Sequence, residues 1–220
     1  MRGLWKFWER VRYKQDDLRV STDGLLRQGQ AELTIAVSSP DLMPDADFFL
    51  RFVVNYLNEA GARITAGQTL VYGYWLVKFQ PFPNGSLDVW EYNAQATEFV
   101  PRGDLALNYW RRQRGICESA QADFMPPSPE NLTSVSAGVM EGRPVEGVRY
   151  HSGEPMSGWI IVTDEYDGNI KSLRNEHTYH ITAARPDLAK FLALPCGFRF
   201  SQPNGESVWW DKEVANQPPA

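Results

Sequence analysis

Residues 156–169 read M-S-G-W-I-I-V-T-D-E-Y-D-G-N, and no other stretch of the chain constrains the fold as tightly. Trp159-Ile160-Ile161-Val162-Thr163 is an unbroken aromatic and β-branched run between Gly158 and the polar residues 164–168. Such a run, too short for an ordinary helix, is expected as a short buried strand. Its C-terminal end opens into Asp164, Glu165, Tyr166 and Asp167, three carboxylates and a phenol on a loop. A rigid strand that presents a loop tip of this kind is a common platform for binding chemistry. The same residues also fit a plain solvated turn closed by Asp167-Gly168. Trp159 is expected in the core beneath them.

A strand of this kind needs a core to sit in, and the chain has the length for one. At 220 residues it suits one large or two small domains, and 43% hydrophobic with 13% aromatic residues excludes general disorder. Two cysteines, Cys117 and Cys196, have no framework spacing and are expected as free thiols of a cytoplasmic protein. No apolar run is long enough for a membrane span, and the N-terminus lacks a signal-peptide pattern.

The net charge is −5, unevenly spread. Residues 1–114 hold fourteen Lys/Arg against thirteen Asp/Glu, whereas residues 115–220 hold eight against fourteen. The acidic half is the one that carries the strand and loop described above. This balance argues against binding a nucleic-acid backbone and for a partner with a basic face.

Along the chain, Leu4, Phe7, Trp8 and Val11 recur at helical spacing among basic residues, a pattern for a helix that packs on the domain or docks elsewhere. Residues 32–38 alternate as a half-buried strand. Residues 41–60 are expected as a helix with Phe48, Phe49, Phe52, Val53, Tyr56 and Leu57 on its apolar face and Gly61 as its stop. Strands follow near 63–66 and 69–72, then a hairpin of 74–80 with 86–93 around Asn84-Gly85. A second helix is expected from Asp104, as N-cap, to Arg114, stopped by Gly115. Pro126-Pro127-Ser128-Pro129 then interrupts the pattern and reads as a stiff linker. Beyond it, strands are expected at 132–136, 145–150 and 159–163, a helix at 186–194, and a hairpin of 197–202 with 207–211 around Asn204-Gly205. The expectation is therefore α+β, with two small domains, each a curled and mainly antiparallel sheet with helices packed on it. Their bounds are 1–125, linker 126–130, 131–213, and a frayed tail 214–220.

The S-G-W followed by apolar residues and an acidic cluster, with Glu154-Pro155 shortly before, resembles the immunity protein 33 family of bacterial proteins. D-L-A-K-F-L-A-L-P-C-G-F at 187–198 is similar to that family's apolar helix and P-x-G-x-F turn. The resemblance covers about 132–211. It implies a protein encoded beside a secreted or polymorphic toxin, which it neutralises by binding.

The rest of the chemistry is sparse. His177 and His180 could ligate a metal if helical, but Thr178, Tyr179, Ile181 and Thr182 favour a strand, which sends the two rings to opposite faces. His151 has Ser152-Gly153 beside it, which reads as a turn, and there is no nucleophile elbow, P-loop or dinucleotide fingerprint. The expectation is a non-catalytic, cytoplasmic immunity protein without a cofactor. Its partner-binding residues are Asp164, Glu165, Tyr166, Asp167 and Glu154, and its toxin, for instance a nuclease, has a basic face. The alternatives are a small metal-dependent hydrolase using His177, His180 and nearby carboxylates, or an effector chaperone or adaptor.

Overall fold

The computed structural model describes residues 11–203 and 205–217. They form an α+β fold of two compact units, divided between Asn108 and Tyr109, each built on its own mixed sheet. The expected N-terminal helix rests on Leu4, Phe7, Trp8 and Val11, and all of these but Val11 lie outside the described residues.

In the first unit a hairpin of β1 (Arg12–Asp16) and β2 (Arg19–Asp23) precedes β3 (Leu33–Ala36) and helix α1 (Met43–Ala60). After these come β4 (Thr69–Tyr72), β5 (Trp75–Pro81), β6 (Leu87–Tyr92), β7 (Phe99–Val100) and the first residues of α2 (Asp104–Ser119). The sheet order is β1-β2-β3-β6-β5-β4, with β7 also on β6. Every pairing is antiparallel except β3 with β6.

Helix α1 buries Ala46, Phe49, Leu50, Val53, Val54 and Leu57, the i, i+3, i+4 stripe, against β2 and β3. Each large side chain fully removed from water there contributes about 1.5–3 kcal/mol. The stripe is rotated from the expected face, for Phe48 and Tyr56 are exposed. The helix ends where Gly61 takes a left-handed conformation, φ 59°. The β5–β6 turn carries positive φ at Asn84 (69°) and Gly85 (75°), as its Asn-Gly pair demands.

The second unit contains the remainder of α2, then β8 (Leu132–Val135), β9 (Glu146–Arg149), β10 (Met156–Val162) and β11 (Arg174–His177). Helix α3 (Thr178–Ala184), β12 (Phe198–Ser201), β13 (Ser207–Trp210) and the short α4 (Lys212–Ala215) complete it. Its sheet runs β11-β8-β10-β9-β12-β13. The strand first read from sequence is thus interior, parallel to β8 and antiparallel to β9.

Trp159 is fully buried, with its ring 5.4 Å from Phe200, which in turn stacks on Phe191 at 4.3 Å. Phe200 reaches that place across Gly147, its partner on β9. A Cβ at Gly147 would lie 2.0 Å from the Phe200 ring, so the position excludes every larger residue.

Several expectations are corrected. Residues 63–66 are not a strand, and β3 is buried at Leu33, Thr34 and Ile35 rather than alternating. Gly115 does not stop α2, which continues to Ser119. Residues 186–194 hold a 3-10 turn (Ala189–Phe191) in place of a regular helix. Val214 is buried in α4, whose N-cap is Asp211, instead of fraying. Apart from these corrections, Pro127 and Pro129 of the proline-rich segment 126–130 are buried. Among the described residues no helix is long and apolar enough to cross a membrane.

Candidate functional site

Strand β10 enters its sheet through a bulge. Opposite β8 its register shifts between Met156 and Ile160, and Gly158 sits at φ 83°. A side chain there would strike the Tyr150 carbonyl at 2.3 Å, which explains the glycine of the S-G-W sequence. Ser157, Thr133 and Thr178 form a buried hydroxyl chain, with spacings of 2.7 and 3.0 Å, and Thr178 donates to the Asn131 carbonyl at 2.8 Å. The polar side chains on this strand are therefore satisfied inside the protein.

At the other end, Thr163 fixes the base of the loop. Its N–H donates to Ser136 Oγ at 3.0 Å, and its hydroxyl donates to the Ala137 carbonyl at 2.9 Å. Beyond it Asp164, Glu165 and Asp167 are exposed and Tyr166 is half-buried. The Tyr166 N–H donates back to the Thr163 carbonyl at 3.1 Å, closing the first turn.

Two of the three carboxylates have partners within the protein. Glu165 is ion-paired with Arg143. Asp167 is committed within the loop, where its Oδ1 accepts from the Asn169 N–H (2.8 Å) and the Ser172 hydroxyl (3.1 Å). Asn169 repeats the motif by accepting from the Lys171 N–H at 3.1 Å. These bonds hold Ile170 outward, 69% exposed, within a few residues of all three carboxylates. Sequence reading missed both Ile170 and Arg143. The D-x-N-x-x-S spacing of Asp167, Asn169 and Ser172 was the available sign that Asp167 serves the loop itself.

Glu154 does not join this group. It is exposed at the opposite end of β10, and a seven-residue strand spans roughly 20 Å.

The histidines differ from expectation, because β11 ends at His177 and α3 begins immediately after it. The His177 and His180 rings therefore lie near each other, with centroids 5.8 Å apart, and not on opposite faces. His177 Nδ1 bonds the Glu130 carbonyl at 2.8 Å, and His180 Nδ1 is 3.6 Å from Glu176. His151 Nε2 meets the Ala215 carbonyl at 3.2 Å. Among the described residues no group of three or more His, Cys, Asp or Glu is placed to hold a metal ion.

A loop of carboxylates on a rigid interior strand can contact a basic protein surface. Residues 112–211 match the model of the Imm33-like domain, so the C-terminal part of the chain is similar to that family. The match begins inside α2 and ends at the N-cap of α4, so it includes the whole second sheet and the acidic loop. No curated protein and no solved structure matches the chain.

Proposed function

We propose that this protein is a non-catalytic immunity protein that binds a cognate toxin in the cytoplasm and neutralises it by association. The observation that carries this reading is the Imm33-like match across 112–211, a segment that contains β10 and its acidic loop. The contact residues are Asp164, Glu165 and Tyr166 on the exposed face of the loop, with Asp167 holding the loop in shape. A partner that also reaches Glu154 spans the length of β10.

The chemistry of the loop selects a toxin with a basic face. Exposed carboxylates steer its encounter, and those that become desolvated against Arg or Lys hold the complex. A nuclease, whose cleft is built to receive phosphates, is one partner of this kind. Tyr166, stiff and amphipathic, is a suitable anchor beside them.

The test is protection. Cells that express the toxin encoded beside this gene should grow when the wild-type chain is co-produced and should lose protection with Asp164→Lys, given unaltered folding. Protection that requires His177 and His180, with toxin binding intact in their Gln variants, would contradict the non-enzymatic reading.

A further inference from the structure

The first unit lies outside the Imm33-like match, and it contains an open cavity of about 480 Å³. The cavity lies where the end of α1 and the connection after it meet the start of β4, the outer strand of the sheet. Ala62, Ile64, Leu70 and Phe79 supply its apolar wall. The polar side chains of the lining are Tyr56, Arg63, Gln68 and Thr69.

Every one of these four can donate a hydrogen bond, and the lining contains no carboxylate. Gln68 already uses its Oε1 to accept from the Thr65 N–H at 2.7 Å, which leaves its amide NH₂ as the group on offer. Arg63 has no carboxylate partner among the described residues. Its guanidinium rests over Gly29, where a Cβ would come within 3.3 Å of Nη2. A lone cation, surrounded by donors and beside an apolar wall, is complementary to an anion that carries an apolar body. The volume falls in the range of small-ligand sites, roughly 300–1,000 Å³.

We propose that this cavity binds a carboxylate attached to a branched apolar group, with Arg63 gripping the carboxylate and Ile64 and Leu70 receiving the hydrocarbon. Such a group occurs in a free organic acid and at the C-terminus of a peptide, for which the edge of β4 offers an adjoining track.

The experiment is a chemical-shift titration of the full-length, ¹⁵N-labelled protein with 4-methylpentanoate, N-acetyl-leucine and N-acetyl-leucinamide. Saturable shifts at residues 63–70 are expected with the two acids and not with the amide. Stronger binding of N-acetyl-leucine assigns the site to a peptide end, and equal or stronger binding of 4-methylpentanoate to a free acid. Arg63→Gln should weaken binding at least about tenfold, the loss of one charge-assisted bond, while Arg63→Lys keeps part of it. No saturable shift with either acid, equal binding of the amide, or full affinity in Arg63→Gln would overturn the assignment.

Discussion

Glu91 is completely buried on β6, and both of its carboxylate oxygens accept backbone donors from the start of α2: Leu105 N–H at 3.0 Å and Ala106 N–H at 2.7 Å. The expected cap, Asp104, instead accepts from the Ser38 N–H at 2.9 Å, so the free amides of the helix are satisfied from the sheet. Burial pushes the Glu91 carboxyl up to about 8 from its ordinary 4.5, against the pull of the two amide bonds. The folded state therefore holds this proton more tightly than the unfolded chain does. That stabilisation is complete below pH 4.5 and is lost as pH rises through about 8, at up to roughly 1.4 kcal/mol per pH unit. The melting temperature of Glu91→Gln, compared with wild type across this range, should lack that component. Glu91→Ala, which leaves two buried amides without acceptors, should cost at least about 2 kcal/mol in a denaturant titration.

Arg149 plays the corresponding part in the second unit. It is 8% exposed and donates to the carbonyls of Ser157 (3.1 Å), Met125 (2.5 Å), Leu192 (3.2 Å) and Leu194 (2.6 Å). Burial lowers its pKa. Arg149→Met should destabilise the protein by about 3 kcal/mol or more, since several carbonyls lose their donor together. A denaturant midpoint equal to wild type would refute that role.

At the scale of elements, the same bonds explain what sequence patterns revealed and what they concealed. The Asn84-Gly85 hairpin, α1 with its Gly61 stop, and the Trp159–Val162 core of β10 were legible because local chemistry alone specifies them. The segment 186–194 has the composition of a helix. Its carbonyls, however, are taken by distant donors: Gln113 at Ala189, Met125 N–H at Ala193, and Trp159 Nε1 with Arg149 at Leu192. Helix α3 forms from β-favouring residues because Thr178 and Tyr179 give their N–H groups to the Asn131 and Pro129 carbonyls, which turns the chain out of β11. Gly115 fails to stop α2 because one glycine costs only about 1 kcal/mol, while Gln113 and Cys117 on either side are buried. At the site, the loop position and its acids could be read from the sequence, but the internal role of Asp167 and the exposure of Ile170 depend on the folded turn.

These contacts also bear on where an independent domain begins. We propose that the second domain needs the C-terminal turns of α2 and the segment that follows them, since Gln113 on α2 and Met125 after it bond the 189–194 segment. A fragment of residues 104–220 should then give a cooperative melt, and one of 131–220 should not. Equal stability of the two fragments would place the boundary in the proline-rich segment 126–130.

For the whole molecule, residues 115–220 carry the acidic balance and lie largely within the Imm33-like match, and the acidic loop after β10, the proposed contact site, lies among them. An exposed charge on a loop changes stability by less than about 0.5 kcal/mol when replaced, whereas a desolvated charge in an interface is worth roughly 2–5 kcal/mol. Affinity and stability therefore separate the two roles. The most direct measurement is calorimetric titration of the product of the adjacent gene, as the proposed toxin, into wild type, Asp164→Ala and Glu165→Ala, at low and high salt, with melting temperatures as controls. An interface through this loop requires binding by wild type, a loss of about 30-fold or more in the variants at both salt concentrations, and unchanged melting. Wild-type affinity in both variants at both salt concentrations, or no binding by wild type, would contradict it.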